Sequence, residues 1–320
     1  VHPRTLIDGG GAPDGASSPV SPISPVGSAG KKNLIDFLSL ERVERDLFRG
    51  WCHDGARLRA FGGQVAAQAL TAAGHTVDDT LAVHSLHGYF LRAGDTRRPI
   101  VYQVERLRDG RGYVSRRVTA VQLGEPIFTL SASFKLPEES APGEARHVAM
   151  PQAVPPEDLP DAFAPTPGSD GNQPDDHDVR EFNRALSVRF VPPPRPAPDG
   201  GTEQWLWVKA AHPLPDDPML HACGLAYASD LLLAPSAALH REPPRILRQG
   251  PDTVFLTSLD HAIWFHRPFR ADEWLLVVQR SPTAGDGRGL AHGDFWTRDG
   301  RLVASVVQET VLRTARPRSV

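Results

Sequence analysis

One tetrapeptide stands at matching places in two similar stretches of the chain: Asp109-Gly110-Arg111-Gly112 and Asp286-Gly287-Arg288-Gly289. Each copy is followed by period-two runs that end in Phe128 to Phe134 or in Val303 to Leu312. An Asp-Gly pair between alternating runs is a hairpin signal, so the same piece of antiparallel sheet is expected twice. The copies are not equivalent, because only the second follows an apolar helix that carries a carboxylate, Asp230. Where a duplicated fold has one altered copy, that copy is the place to expect chemistry.

A chain of 320 residues accommodates two domains of ordinary size, each with its own core. With 35 basic against 38 acidic residues, no overall field favours nucleic acid or an anionic membrane. The two cysteines, Cys52 and Cys223, are far apart and lack metal-ligand spacing, so neither a disulfide framework nor a zinc site is expected. A reducing cytoplasm is the expected compartment. No run approaches the length of apolar sequence needed to cross a membrane. Residues 1–32 are rich in Pro, Ser and Gly and contain Asp8 and Asp14; they read as a disordered tail, not a signal or transit peptide. The final Arg316-Pro-Arg-Ser-Val320 is not a peroxisomal Ser-Lys-Leu signal.

Periodicity predicts a short helix over 33–40 capped by Asn33, a strand over 42–52 and a long helix over 61–74. That helix sets Phe61, Val65, Ala69 and Ala72 on one stripe, stops at Gly74, and is small-sided enough to lie close against a curved sheet. Strands are expected at 84–91, 100–107, 113–122 and 126–136. Nearly half of the chain's 31 prolines fall in 137–200, the mark of a linker with little packed core, although 185–191 could form a strand of the second unit. Regular structure resumes at 204–210, with a helix over 221–233 and strands over 253–265, 273–281, 288–296 and 302–312. The expected division is a tail (1–32), a first unit (33–137), a linker (138–200) and a second unit (201–315). Each unit reads as strand, long helix, then four antiparallel strands. A helix of this kind must pack on one sheet face, and two such units can join edge to edge. The expected class is therefore α+β: a tandem (double) hotdog with two long central helices wrapped by a continuous antiparallel sheet.

Asp230 has no basic partner on its own helix. Burying an ionised carboxylate without compensation costs several kcal/mol or more, so the group must be hydrated, partnered from elsewhere or raised in pKa. Each of these suits a general base; an Asp bonded to nearby backbone or facing solvent is the bland reading. Gln308 lies in a strand in line with Leu302, Ala304 and Val306, with Val303, Val307 and Val311 opposite. Both faces are apolar, so its amide is expected to be buried and to need partners, catalytic or structural. Ser258, ahead of Leu259-Asp-His261, is a third polar group able to face the helix.

Five segments taken together resemble the bacterial thioesterase II family of acyl-CoA thioesterases. They are Phe61-Gly-Gly-Gln64, His84-Ser-Leu-His-Gly-Tyr-Phe-Leu-Arg-Ala-Gly-Asp95, Gly224-Leu-Ala-Tyr-Ala-Ser-Asp230, Leu259-Asp-His-Ala-Ile-Trp-Phe-His-Arg-Pro-Phe269 and Ala304-Ser-Val-Val-Gln-Glu309. The resemblance spans roughly 33–137 and 204–313; the tail and the Pro-rich linker do not share it. It implies an acyl-CoA substrate and an active site of Asp230, Ser258 and Gln308, with Ser258 keeping the hydroxyl of a Thr found in other members. Asp230 would take a proton from a water that Gln308 and Ser258 hold, while backbone N–H groups at a helix N-terminus meet the oxyanion. Direct attack by Asp230 to give an anhydride is the competing route. This chemistry requires no cofactor.

Other readings are weaker. The chain has no Gly-x-Ser-x-Gly elbow of an α/β-hydrolase. His84 and His87, like His261 and His266, are expected on opposite strand faces, which disfavours metal binding and leaves core or hydrogen-bonding roles. Cys223 reads as a small core residue. Asp216-Asp-Pro-Met-Leu-His221 approaches the Asp-x-Asn-Pro-x-His pattern of hotdog enoyl-CoA hydratases, but the proline is displaced and the Asn is missing. A hydratase and a non-catalytic acyl-CoA-binding protein are the alternatives. Arg111 and Arg288 could meet CoA phosphates or simply be solvated, and Trp264 and Phe265 could line an acyl tunnel or pack in the core. Unpaired sheet edges favour a homo-oligomer. Aligning the repeats sets Gln64 against Asp230, Ser85 against Ser258, and Ser131 or Ala132 against Gln308. One active site per chain is expected, in the second unit.

Overall fold

The structure, a computed structural model, describes residues 33–52, 59–138, 148–163, 184–196, 202–239 and 254–314. The expected tail, 1–32, lies outside the described residues, as does much of the expected linker. The chain forms the α-helices α1 (Leu34–Leu38), α2 (Gly62–Gly74) and α3 (Pro218–Ser236), and a 3-10 turn spans Pro156–Asp158. The starts of α1 and α3 have a local cause. The Asn33 side chain accepts the Asp36 N–H at 3.1 Å, and Asp217 accepts the Met219 N–H at 2.8 Å ahead of Pro218.

The strands are β1 (Glu41–Glu44), β2 (Leu47–Gly50), β3 (Ala82–Phe90), β4 (Ile100–Asp109), β5 (Tyr113–Gln122), β6 (Glu125–Lys135), β7 (Leu186–Pro196), β8 (Thr202–Ala210), β9 (Val254–Ser258), β10 (Asp260–Phe265), β11 (Leu275–Gly285), β12 (Arg288–Thr297) and β13 (Leu302–Thr314). They form one sheet in the order β1-β2-β4-β5-β6-β3-β10-β13-β12-β11-β8-β7, with β9 also on β13. The two halves mirror each other about the antiparallel pair β3 and β10, where Leu86 faces Ile263. This is the tandem hotdog that alternation and layer packing predict.

Several local expectations are corrected. The single strand over 42–52 is a hairpin, β1 and β2, because the chain reverses at Asp46 with φ 58°. The strand over 253–265 is interrupted at Leu259. Ser258 pairs with Thr310 whereas Ala262 pairs with Val307, so one extra residue is accommodated as a bulge. The Asp260 carboxylate fills the gap by accepting the Glu309 N–H at 2.7 Å. The twin tetrapeptides also differ in shape. Asp286 and Gly287 both take positive φ in a two-residue turn, whereas Asp109 ends β4 and the Gly110 N–H reaches back to the Tyr113 carbonyl. His84 and His87 do not face opposite ways, because β3 shifts register between Val83 and Ser85. The shift lets His84 reach Ser133 on the outer face at 2.8 Å.

The core explains the small residues of α2. Instead of one apolar stripe, the helix is buried almost all round, since α3 packs on one side and the sheet curves round the rest. A Cβ on Gly63 would lie 2.5 Å from the Tyr227 carbonyl of α3, so glycine alone allows the two helices this approach. A second apolar cluster covers the opposite sheet face, where Trp205, Trp207, Leu276, Val278 and Trp296 pack beneath Met150, Ala153 and Leu159. Trp207 Nε1 donates to the Val154 carbonyl at 2.8 Å, so residues 148–163 lie against the sheet, and β7 pairs with β8.

Candidate active site

Asp230 lies on α3 and is 7 % exposed. Its partners come from two strands. Gln308, on the inward face of β13 with Ala304 and Val306, is fully buried and donates from Nε2 to Asp230 Oδ1 at 2.9 Å. The same nitrogen donates to Ser258 Oγ, and Ser258 Oγ donates to Asp230 Oδ1 at 3.4 Å. The three residues singled out from sequence therefore converge. The Leu259 bulge contributes, because it shifts the pairing of Ser258 by one residue relative to β10. The carboxylate is partnered from elsewhere in the chain, one of the three outcomes its isolation on α3 required.

Both donors fall on Oδ1. The other oxygen, Oδ2, lies toward the start of α2, where a Cβ on Gly62 would be 2.8 Å from it. That helix start has no side-chain cap, so the N–H groups of its first turn and the positive end of its dipole are near the carboxylate. Phe61 packs edge-on against Tyr227 where the two helices meet, with ring centroids 5.0 Å apart.

A pocket of about 360 Å³ opens beside Ser258. Its wall comes largely from the first half: Gly62 and Val65 of α2, Phe90 of β3, and Ile127 and Phe128 of β6. Arg59 and Arg92 also line it. Sequence reasoning missed these two arginines and the role of Gly62, although the paired glycines of Phe61-Gly-Gly-Gln64 were a signal of close approach.

It also missed the partners of His261. This fully buried imidazole lies with Nδ1 2.9 Å from Gln308 Oε1 and Nε2 2.8 Å from Ser229 Oγ. Burial pushes its pKa below the ordinary imidazole value, partly opposed by the Asp230 charge.

The other positions considered from sequence lie elsewhere. Gln64 donates to the Phe37 and Trp51 carbonyls, each at 3.1 Å, and Gln68 contacts the same two carbonyls, so these amides tie α1 to α2. Ser85 pairs with Trp264 at the seam, and Ser131 and Ala132 pair with His87 and Leu86. Trp264 is 39 % exposed against His87, and Phe265 stacks near Phe269; neither lines the pocket. The hydratase-like residues are spent otherwise: Asp217 caps α3, Asp216 pairs with Arg270 at 3.0 Å, and His221 Nδ1 accepts the Ala271 N–H at 3.1 Å. Arg288 is paired with Glu309 at 2.9 Å and with Asp286 at 3.3 Å. Cys223 is buried, which pushes its thiol up to about 12.

A tandem hotdog with one carboxylate-amide-hydroxyl cluster in its second half defines the class. Family models agree: residues 48–135 match an acyl-CoA thioesterase N-terminal domain and residues 156–312 an acyl-CoA thioesterase C-terminal domain. Acyl-coenzyme A thioesterase 8 of Homo sapiens is 39 % identical over 293 residues, covering 86 % of this chain and 87 % of its own. Acyl-CoA thioesterase 2 of Haemophilus influenzae is 36 % identical, covering 88 % and 97 %. The crystal structure of an acyl-CoA thioesterase II from Mycobacterium marinum is 44 % identical, superposes with a TM-score of 0.73 and covers 88 % of this chain and 98 % of its own. The chain belongs to the acyl-CoA thioesterase II family.

Proposed function

We propose that the protein hydrolyses acyl-CoA to a free fatty acid and coenzyme A, using one site per chain built on Asp230, Gln308 and Ser258. Family membership supports the reaction class. The observation that carries the mechanism is the asymmetry of Asp230: two donors hold Oδ1, while Oδ2 is turned toward Gly62 of the pocket wall.

A thioester carbonyl is already electrophilic and its thiolate leaves without strong acid assistance, so the chief task is to align and deprotonate a water. Oδ2 of Asp230 accepts the proton as the water oxygen bonds to the carbonyl carbon. Uncapped N–H groups of the first turn of α2 meet the negative charge that develops on the carbonyl oxygen. Collapse of the tetrahedral intermediate expels the CoA thiolate. The acyl chain lies along Val65, Phe90, Ile127 and Phe128, and Arg59 and Arg92 at the same pocket suit the phosphates of CoA.

The test is release of free thiol from a chain-length series of acyl-CoA substrates by wild type and Asp230→Asn. Loss of release in the variant is expected, and unchanged release would sink the mechanism. The same assay with enoyl-CoA separates the hydratase reading, which consumes substrate without freeing thiol. Among the described residues no helix is long and apolar enough to cross a membrane. Two cysteines in 320 residues supply no disulfide framework, and on that composition we place the protein in the cytoplasm, to be checked by fractionation. Among the described residues the end strand β1 leaves a backbone edge for pairing between copies, whereas the Ala162 N–H already covers the Val188 carbonyl of β7, and light scattering is expected to report a homo-oligomer.

A further inference from the structure

We infer that His261 is a positioning residue for the reaction: its Nδ1–H locks the orientation of the Gln308 carboxamide, and with it the two hydrogen bonds that Gln308 gives to Asp230 and Ser258. The inference rests on the assignment of those three residues to the site.

An amide side chain can be turned by half a rotation with little change of shape, but its two ends are chemically opposite. In the observed orientation Nε2 serves Asp230 and Ser258, and Oε1 lies 2.9 Å from His261 Nδ1. A carbonyl oxygen only accepts, so this contact requires a proton on Nδ1. The other neutral tautomer would set two lone pairs against each other, and turning the amide to relieve them would aim Oε1 at the Asp230 carboxylate. On the far side of the ring Ser229 Oγ lies 2.8 Å from Nε2 and 3.0 Å from the Ala226 carbonyl; its single proton serves one of them, and a neutral ring protonated on Nδ1 takes it at Nε2. Ser229 directly precedes Asp230 on α3. The bonds thus form a closed circuit from α3 through β10 and β13 and back to α3, with every member buried: Ser229 at 2 %, His261 at 0 %, Gln308 at 0 % and Asp230 at 7 %.

Burial favours the neutral ring, which is the state the circuit needs. His261 itself has no exposed surface, so it cannot take the proton of the attacking water. An apolar residue here would leave the buried Gln308 Oε1 without its donor, so the imidazole's place in the core is tied to the orientation of that amide.

The test compares His261→Leu and His261→Asn in the full chain, with Asp230→Asn as control. Asn keeps a donor near the position of Nδ1; Leu removes it. Thiol release should fall by roughly 10- to 100-fold in kcat for His261→Leu with KM little changed, and His261→Asn should recover most of that loss. Circular dichroism and thermal unfolding check that each variant is folded. If Asp230→Asn retains activity, the site assignment itself fails. If Asp230→Asn is inactive while folded His261→Leu keeps wild-type kcat, or if Asn does no better than Leu, the positioning role is overturned. Should His261→Leu not fold, nitrogen-15 NMR of the wild-type imidazole decides: a proton on Nδ1 is expected, and a proton on Nε2 overturns the proposal.

Discussion

Gly62 and Asp230 stand so close that a methyl group would not fit between them: a Cβ on Gly62 would lie 2.8 Å from Asp230 Oδ2 and 3.0 Å from the Phe90 ring. The start of α2 belongs to the first half of the chain and the carboxylate to the second, so the site exists only where the halves meet. Gly62→Ala should therefore displace either the carboxylate or the helix start. A displacement of that size costs about 100-fold in kcat/KM, measured by thiol release, with the circular dichroism spectrum preserved. Wild-type activity in a folded Gly62→Ala protein would remove Gly62 from the account.

Asp230 and Ser258 should contribute unequally. Asp230→Asn removes the proposed base and is expected to lower kcat by roughly 10²- to 10⁴-fold. Ser258→Ala removes one donor from Oδ1 while Gln308 remains, a loss of roughly 10- to 100-fold. Ser258→Thr keeps the hydroxyl and should stay within tenfold of wild type, by the approximate factor that one modest hydrogen-bond change carries. Steady-state kinetics on all three variants gives the order directly.

Arg116 is a stability device away from the pocket. Only 1 % exposed, it donates to Thr76 Oγ1 at 2.8 Å, to the Thr76 carbonyl at 3.0 Å and to Asp109 at 2.5 Å, pinning the chain just after α2 to the β4–β5 turn. Asp109 is itself largely exposed, so most of the effect of removing the arginine comes from the buried acceptors left behind. Arg116→Met should cost about 2–4 kcal/mol in denaturant unfolding, with kcat unchanged under native conditions.

Stability should fall on the acid side. His75, His84, His221, His261, His266 and His292 are all held below the ordinary imidazole value, in each case chiefly by burial. The folded state therefore binds these protons more weakly than the unfolded chain. Their contribution is fully present above the unfolded value, near pH ~6.5, and is lost as the pH falls below it. Denaturant titrations between pH 8 and pH 5 should show decreasing stability, with a shallower fall for His261→Asn; a flat profile would contradict the burial argument.

The thiols should be silent in the native protein. Cys52 and Cys223 are both buried, and the Cys223 thiol is pushed up to about 12 by desolvation, slightly offset by a hydrogen bond from Thr71. A thiol reagent at pH 8 should label neither cysteine until the protein is unfolded, and then both. Rapid labelling of Cys223 in the native protein would mean that α3 opens far more readily than its packing allows.

Much of the architecture is legible locally. Asp286-Gly287 marks a two-residue turn, Asn33 and Asp217-Pro218 mark helix starts, and alternation assigns most strands. The isolation of Asp230 on an apolar helix and the apolar surroundings of Gln308 single out both residues before any contact is known. What was misread has a common cause. The hairpin at Asp46, the register shift at His84 and the bulge at Leu259 each insert or turn a residue without disturbing the apolar pattern, so alternation runs straight through them.

Residue types and their spacing by themselves determined most elements, the duplication and two polar groups worth watching, Asp230 and Gln308, because hydrophobic period, capping and turn chemistry act over a few residues; Ser258 was singled out by the family resemblance. Which oxygen of Asp230 is held and which is left toward Gly62, how His261 orients Gln308, and that the pocket wall is borrowed from the first half were decided only in the folded chain. Those relationships join groups far apart in the chain, 78 residues for Gln308 and Asp230 and more than twice that for Gly62 and Asp230, and depend on helix crossing and strand register. Neither leaves a trace in local sequence pattern.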